Sequence, residues 1–217
     1  GDTQAGEMLN AILATRKPII VSTGMSPWRE IDELVARLSD SGVQHAVMQC
    51  TSKYPTPLSD VGLNNLTELR DRYGCRVGLS DHSGSMSPSL AAIARGFGLI
   101  EVHATFDKRM FGPDVSSSLT IEQIAGLTRF ARDLKTLDAN PVDKDAMSEV
   151  LSRNKQLFGR SVGYRTALVA GHIIGAGDLV AKKPGSGIPW CNAGDFIGRV
   201  LIKDVTPDRL LKISDLE

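Results

Sequence analysis

The chain has 217 residues, 25 Lys+Arg against 25 Asp+Glu and 41% hydrophobic residues, the make-up of one large or two small globular domains. Zero net charge leaves no basic field to gather nucleic acid or an anionic membrane. No apolar run reaches the ~18–20 residues of a membrane span, and no signal-peptide pattern opens the chain. The cysteines, Cys50, Cys75 and Cys191, are too few and odd in number for a disulfide scaffold, and suit a reducing cytoplasm. Residue 1 is Gly rather than Met, which raises the expectation of a trimmed or truncated product.

From residue 18 to about residue 137 one unit recurs: a short apolar run, a polar end, a turn, then an amphipathic helix. The runs are residues 18–22 (PIIVS), 45–50 (HAVMQC), 76–82 (RVGLSDH) and 99–105 (LIEVHAT). Each is nearly continuous in its apolar character, as strands of a parallel sheet buried on both faces should be. Ser26-Pro27 and Ser87-Pro88 read as N-cap followed by proline at the first helical position. Ile31, Leu34, Val35 and Leu38 then share one helix face. Gly74 is placed to stop the helix through Leu66 and Leu69, and Thr120 with Gln123 forms a capping box before the stripe Ile124, Leu127, Leu134, Leu137. Four βα units of roughly 30 residues each fit half of a (β/α)8 barrel, or a four-stranded doubly wound sheet.

The pattern changes after residue 137. Residues 138–159 are charged and read as a linker with one helix over 145–158. Residues 160–217 are short apolar pairs broken by glycine and proline, with turn chemistry at 175–178 (GAGD) and 183–187 (KPGSG), and predict a small β-rich domain.

In parallel α/β architectures, functional residues collect at the carboxyl ends of strands. Those ends carry Ser22, Cys50 to Ser52, Ser80 to His82, and Glu101 to Thr105. Strand periodicity puts Glu101, His103 and Thr105 on one face and Val102, Ala104 and Phe106 on the other. A carboxylate beside His82 and His103 would suit a divalent metal. Their spacing of 21 residues matches no local metal motif, so histidines bonded to backbone in the core are the competing reading. Ser22 and Ser80 suit phosphate oxygens near helix N-termini, against simple turn or capping roles. Lys53 and Tyr54, before the Pro-Thr-Pro of residues 55–57, lie on either a functional loop or a plain turn, and Asp114 in Gly-Pro-Asp has an ordinary turn role open to it.

The succession GDTQAG (1–6), STGM (22–25), QCTSKYPTP (49–57), GLSDHS (78–83), EVHATFD (101–107), GPD (112–114) and KKPGSGI (182–188) resembles the sialic acid synthase family. That family takes in N-acetylneuraminate, legionaminate and pseudaminate synthases and their spore-coat polysaccharide relatives. The resemblance covers essentially the whole chain. It implies the C-terminal half of a (β/α)8 TIM barrel followed by a small antifreeze-like (SAF) domain, divided here as residues 1–137 (the last four βα units), linker 138–159 and SAF domain 160–217. It also implies condensation of phosphoenolpyruvate with an N-acetylated mannosamine-type sugar to a nine-carbon 2-keto acid, with release of phosphate. The setting would be cytoplasmic surface-polysaccharide biosynthesis, with a divalent metal (Mn2+ or Mg2+) and a domain-swapped homodimer.

On this resemblance His82 and His103 are the metal ligands, and Ser22 and Ser80 meet the phosphate of phosphoenolpyruvate. Ser52, Tyr54 and Asp114 line the sugar site, and Asp2 is an acidic residue assisting proton transfer. Lys183 stands where relatives commonly carry an Arg that reaches the N-acetyl group in the partner subunit's site. It keeps the charge but not the planar fork. Ser52 replaces a frequent Asn, and Val102 a frequent basic residue. The likeness begins partway through the barrel, without the lysines that relatives use on phosphoenolpyruvate. The chain therefore reads as the C-terminal part of a synthase, inactive without a complementary N-terminal piece. The alternative is a non-catalytic fragment that binds a carbohydrate or a partner.

Overall fold

The computed structural model describes residues 6–217, which divide into a unit ending at Asn140 and a second unit, Pro141–Glu217. The first unit holds a five-stranded parallel sheet: β1 (Ile19–Ser22), β2 (His45–Cys50), β3 (Arg76–Asp81), β4 (Leu99–Thr105) and β5 (Ser118–Thr120). Its order is β1-β2-β3-β4-β5, with no reversal along the sheet. A doubly wound sheet needs such a reversal, whereas a (β/α) barrel adds each strand to the same edge. The sheet is thus the arc of a partial barrel, and the doubly wound alternative is set aside.

Helices α2 (Trp28–Asp40), α3 (Leu63–Tyr73) and α4 (Ser87–Ala94) cover the convex face. There Val47, Val77 and Leu79 join Ile31, Val35, Leu66, Leu69 and Ala92 in one buried cluster. Helix α1 (Gly6–Ala14) adds a smaller cluster, Leu9 with Leu34 and Leu38, beside Ile19 and Val21. The expectation of burial on both faces holds for β2 and β3 but not for β1 and β4. In β1 burial alternates and Ile20 is 59% exposed; in β4 Glu101 and Ala104 are exposed.

Helix starts follow local chemistry that the dipeptides only approximate. Helix α2 begins at Trp28 with Pro27 itself in the N-cap position, and Ser26 stands one residue outside. In α4, Ser87 is already helical and its N–H is taken by the Ser85 hydroxyl at 3.2 Å. The box at Thr120 forms as expected at the start of α5 (Ile121–Ala139): Thr120 N–H donates to Gln123 Oε1 and Gln123 N–H to Thr120 Oγ1. Gly74 ends α3 with φ of 59°, a left-handed conformation that costs glycine little.

In the second unit the stretch read as one helix is two, α6 (Lys144–Val150) and α7 (Ser152–Phe158), interrupted at Leu151. Beyond them β6 (Ser161–Tyr164) and β7 (Leu179–Lys182) pair antiparallel. Isolated bridges and 3-10 turns complete a core of Val162, Tyr164, Ile174, Leu179, Leu201, Val205, Leu211 and Leu216. Asp215 is fully buried against this core. It accepts from Tyr164 Oη (3.1 Å), Arg209 (2.6 Å) and the Lys212 N–H (2.9 Å), with Lys203 Nζ at 3.0 Å.

Candidate functional site

Register fixes what the concave face presents. Cys50 pairs with Ser80 and Ser80 with Glu101, so these three form one rung on the face that the helices leave open. Ser22 ends β1 on that face, and His103 lies two residues beyond Glu101 along β4. His82 directly follows β3. Neighbouring parallel strands thus bring together two histidines that lie 21 residues apart in the chain.

Their rings meet edge to face with centroids 5.1 Å apart. Tyr54 closes the group at 4.3 Å from His82 and 5.7 Å from His103, and its hydroxyl is 3.5 Å from His82 Nε2. Asp114 Oδ2 lies 3.6 Å from His103 Nδ1. Desolvation, followed by the charges of Cys50, Asp114 and Glu101, pushes the Tyr54 phenol above its ordinary range. The phenol is therefore a donor at neutral pH.

His82 is buried, and its Nδ1 faces the Thr51 carbonyl at 3.2 Å, with Cys50 Sγ at 3.9 Å. A carbonyl only accepts, so Nδ1 donates to it, and in the neutral ring Nε2 then keeps its lone pair. That is the tautomer of a metal-ligating imidazole oriented by a backbone carbonyl. Two imidazoles on one rim suit a borderline divalent cation as two nitrogen ligands. The expected trio with Glu101 does not form: among the described residues no three of His, Cys, Asp and Glu group as a metal site. Glu101 instead accepts from the Ser80 hydroxyl at 2.7 Å.

The loop that carries Tyr54 is tied down at several points. Thr56 N–H donates to the His82 carbonyl at 3.0 Å, and Thr56 Oγ1 donates to the Thr51 and Lys53 carbonyls. Thr51 Oγ1 donates to the Asp60 carbonyl, and Lys53 pairs with the Asp60 carboxylate. Lys53 is thus an anchor of this loop, whereas Tyr54 points at the imidazoles.

The structure gathers Tyr54, His82, His103 and Asp114, and sets Ser80 one rung below with Glu101. Ser52 belongs to the same loop as Tyr54 and is half-buried. Ser22 is two strands from Ser80 in the sheet order. Lys183 belongs to the second unit, where its ammonium lies 5.8 Å over the Phe158 ring. Asp2 lies outside the described residues. Single-residue inspection misses the Ser80–Glu101 bond, but strand register was the signal that could have found it. A cavity of about 1060 Å3 opens at the opposite, N-terminal ends of the strands, lined by Ile19, His45, Val77 and Phe97 among others. None of the strand-end candidates lines it. Among the described residues no helix is long and apolar enough to cross a membrane.

A five-stranded parallel arc with a polar, two-imidazole group at its strand ends, followed by a small second unit, describes an α/β protein with a partial barrel. The NeuB family profile matches residues 1–142 and the SAF domain profile residues 159–217. The chain belongs to the NeuB family and carries an SAF domain. It is 32% identical over 207 residues to the N,N'-diacetyllegionaminic acid synthase of Campylobacter jejuni, covering 94% of this chain and 61% of that protein. Identity is also 32% to the N,N'-diacetyllegionaminic acid synthase of Legionella pneumophila, over 206 residues and 92% and 57% of the two chains. Among solved structures it is similar to the N-acetylneuraminic acid synthetase of Leptospira borgpetersenii in complex with citrate. There the TM-score is 0.62 and identity 25%, over 70% of this chain and 55% of that one. The chain spans about three fifths of the length of the two sequence relatives.

Proposed function

We propose that this chain carries the C-terminal part of the active site of a sialic-acid-type synthase. The reaction joins phosphoenolpyruvate to an N-acetylated mannosamine-type sugar, forms a nine-carbon 2-keto acid and releases phosphate. The observation that carries this reading is the group of His82, His103, Tyr54 and Asp114 at adjacent strand ends, in a chain of the NeuB family.

In this reading His82, through Nε2, and His103 hold a divalent metal, Mn2+ or Mg2+. When bound, such an ion polarises the aldehyde of the open-chain sugar. Tyr54 donates to the sugar, and Asp114 accepts from its hydroxyls, as a carboxylate with two oxygens can. Ser52, half-buried in the Tyr54 loop, lines the same subsite. Ser22 and Ser80 receive the phosphate of phosphoenolpyruvate. The enol carbon bonds to the aldehyde carbon, whose oxygen gains a proton. Water then adds to the cationic carbon left behind, and breaking its C–O bond to phosphate gives the keto acid. Asp2 is assigned to proton transfer and Lys183 to the N-acetyl group in a partner subunit of a domain-swapped homodimer.

The test supplies this chain with the N-terminal half of the Campylobacter relative and assays phosphoenolpyruvate- and Mn2+-dependent phosphate release on a panel of N-acetyl sugars. Turnover is expected from the mixture and not from either piece. His82→Ala and His103→Ala should each lower it at least 100-fold. Full activity in either variant overturns the metal assignment. Sugar binding without turnover in any mixture would favour a non-catalytic carbohydrate-binding role.

A further inference from the structure

Two loops carry the groups that flank the imidazoles, and one cation joins them. Gly84 lies two residues after His82 in the β3–α4 connection. Ser118 opens β5 and is the register partner of His103. The ammonium of Lys108 donates to the Gly84 carbonyl at 3.2 Å and to the Ser118 carbonyl. The same two segments touch directly, since a Cβ at Gly84 would fall on the Ser116 carbonyl oxygen. Ser118 Oγ donates to the Asp114 carbonyl at 2.7 Å, and the Asp114 carboxylate faces His103. The start of the loop that delivers Lys108 is pinned by Thr105 Oγ1 donating to the Asp107 carbonyl at 3.1 Å.

We infer that Lys108 is a positioning residue that sets the distance and angle between His82 and His103 by clamping the loop after one to the strand beside the other. Both of its observed acceptors are backbone carbonyls on the two segments at issue. An ammonium is a compact, three-donor group suited to such a bridge. Without it, the Gly84 and Ser118 carbonyls lose a shared donor, and the β3–α4 loop, still tied by Ser83 to the Asp81 carboxylate, loses its link to β5. The sheet hydrogen bonds of β3 and β4, which lie below the imidazoles, remain. The effect of the clamp is therefore on the geometry of the ring pair rather than on the fold of the unit. Its consequence for metal binding rests on the reading of His82 and His103 given above.

The test compares the wild-type 217-residue chain with Lys108→Met and Lys108→Arg. Ring resonances of the four histidines are followed by NMR, and Mn2+ binding by electron paramagnetic resonance and calorimetry. Lys108→Met should move the His82 and His103 signals, leave those of His45 and His172 in place, and weaken Mn2+ binding at least tenfold at unchanged melting temperature. Lys108→Arg, which keeps the charge and the donors, should recover most of both. Unmoved His82 and His103 signals in Lys108→Met overturn the proposal. So does movement of all four histidines together with a lowered melting temperature, which would mark a general structural role. If Lys108→Met does not fold, Lys108→Gln, a shorter arm with two N–H donors, decides by the same signals. Should the wild-type chain bind no Mn2+, the metal reading fails, and the ring resonances alone judge the clamp.

Discussion

Asp114 in the sheet unit leaves 53% of its side chain in solvent and faces one imidazole, whereas Asp215 in the small unit is fully buried and collects donors from four residues. The first carboxylate has acceptor capacity to spare at the rim of an open face. The second has spent its capacity on its own fold. Burial by itself would raise the Asp215 carboxyl, but donation from the Lys212 amide, Lys203 and Tyr164 holds it below the usual carboxylate range. The contrast teaches how to separate function from architecture in one chain. Polar groups satisfied by their own unit hold it together, whereas a half-exposed carboxylate at a strand end keeps oxygens available to other donors.

The comparison can be broken most forcefully in the core. Leu66 is fully buried under the arc, and Leu66→Ala should cost about 3–4 kcal/mol. Hydrogen exchange resolved along the chain should show that loss in β2, β3 and α3, with protection in β6 and β7 unchanged; equal losses in both units would overturn this expectation. Next comes Asp215→Ala. It should cost about 2–3 kcal/mol, less than a sealed ion pair, because Lys203 and Arg209 keep contact with water. This loss should appear only in amides of the second unit.

The same carboxylate sets a pH dependence. Its folded value lies below the unfolded value of ~3.9. Its contribution is therefore complete above about pH 5 and is lost as pH falls through the folded value. Melting of the second unit should fall more steeply for the wild type than for Asp215→Asn between about pH 5 and pH 2. Parallel curves would show that Asp215 is not the group responsible.

Smaller effects refine the contrast. Tyr164→Phe removes one donor to Asp215 at unchanged ring packing and should cost about 1 kcal/mol, read in chemical denaturation. Thr120→Ala opens the capping box of α5 and should cost about 0.5–1 kcal/mol, seen as faster exchange in its first turn. Arg109→Ala removes an exposed pair with Asp107 and should leave the melting temperature unchanged.

Much of the arc was legible in the amino-acid sequence. The runs at 45–50 and 99–105 are β2 and β4 residue for residue, because short apolar runs between helical stripes have few other uses. Strand β5 was not legible: Ser118–Thr120 is three residues long, and its last residue doubles as the helix cap. The caps at Ser26 and Ser87 were misplaced because proline fixes φ without deciding which neighbouring hydroxyl reaches the free N–H. For the site, the histidines could be named from the strand ends, but their ring contact depends on strand order, which no local spacing encodes. Glu101 was visible as a neighbour of His103, but its bond to Ser80 follows only from the β3–β4 register. In the small unit the apolar pairs marked the core well. The paired strands are only four residues each, so turns and isolated bridges carry more of the architecture than a β-rich composition suggests.

The fastening of the Tyr54 loop has a practical meaning for exchanging segments between relatives. Thr51 orients His82, Thr56 holds the carbonyl of that same histidine, and Asp60 fastens both Thr51 and Lys53. A transplant confined to the residues around Tyr54 would cut these ties and disturb the His82 imidazole. Moving residues 51–60 as one cassette carries the fastenings together with Tyr54. Residues 51–60 and His82 thus form one mechanical unit, in which the ring keeps its orientation only while Thr51 and Thr56 keep theirs.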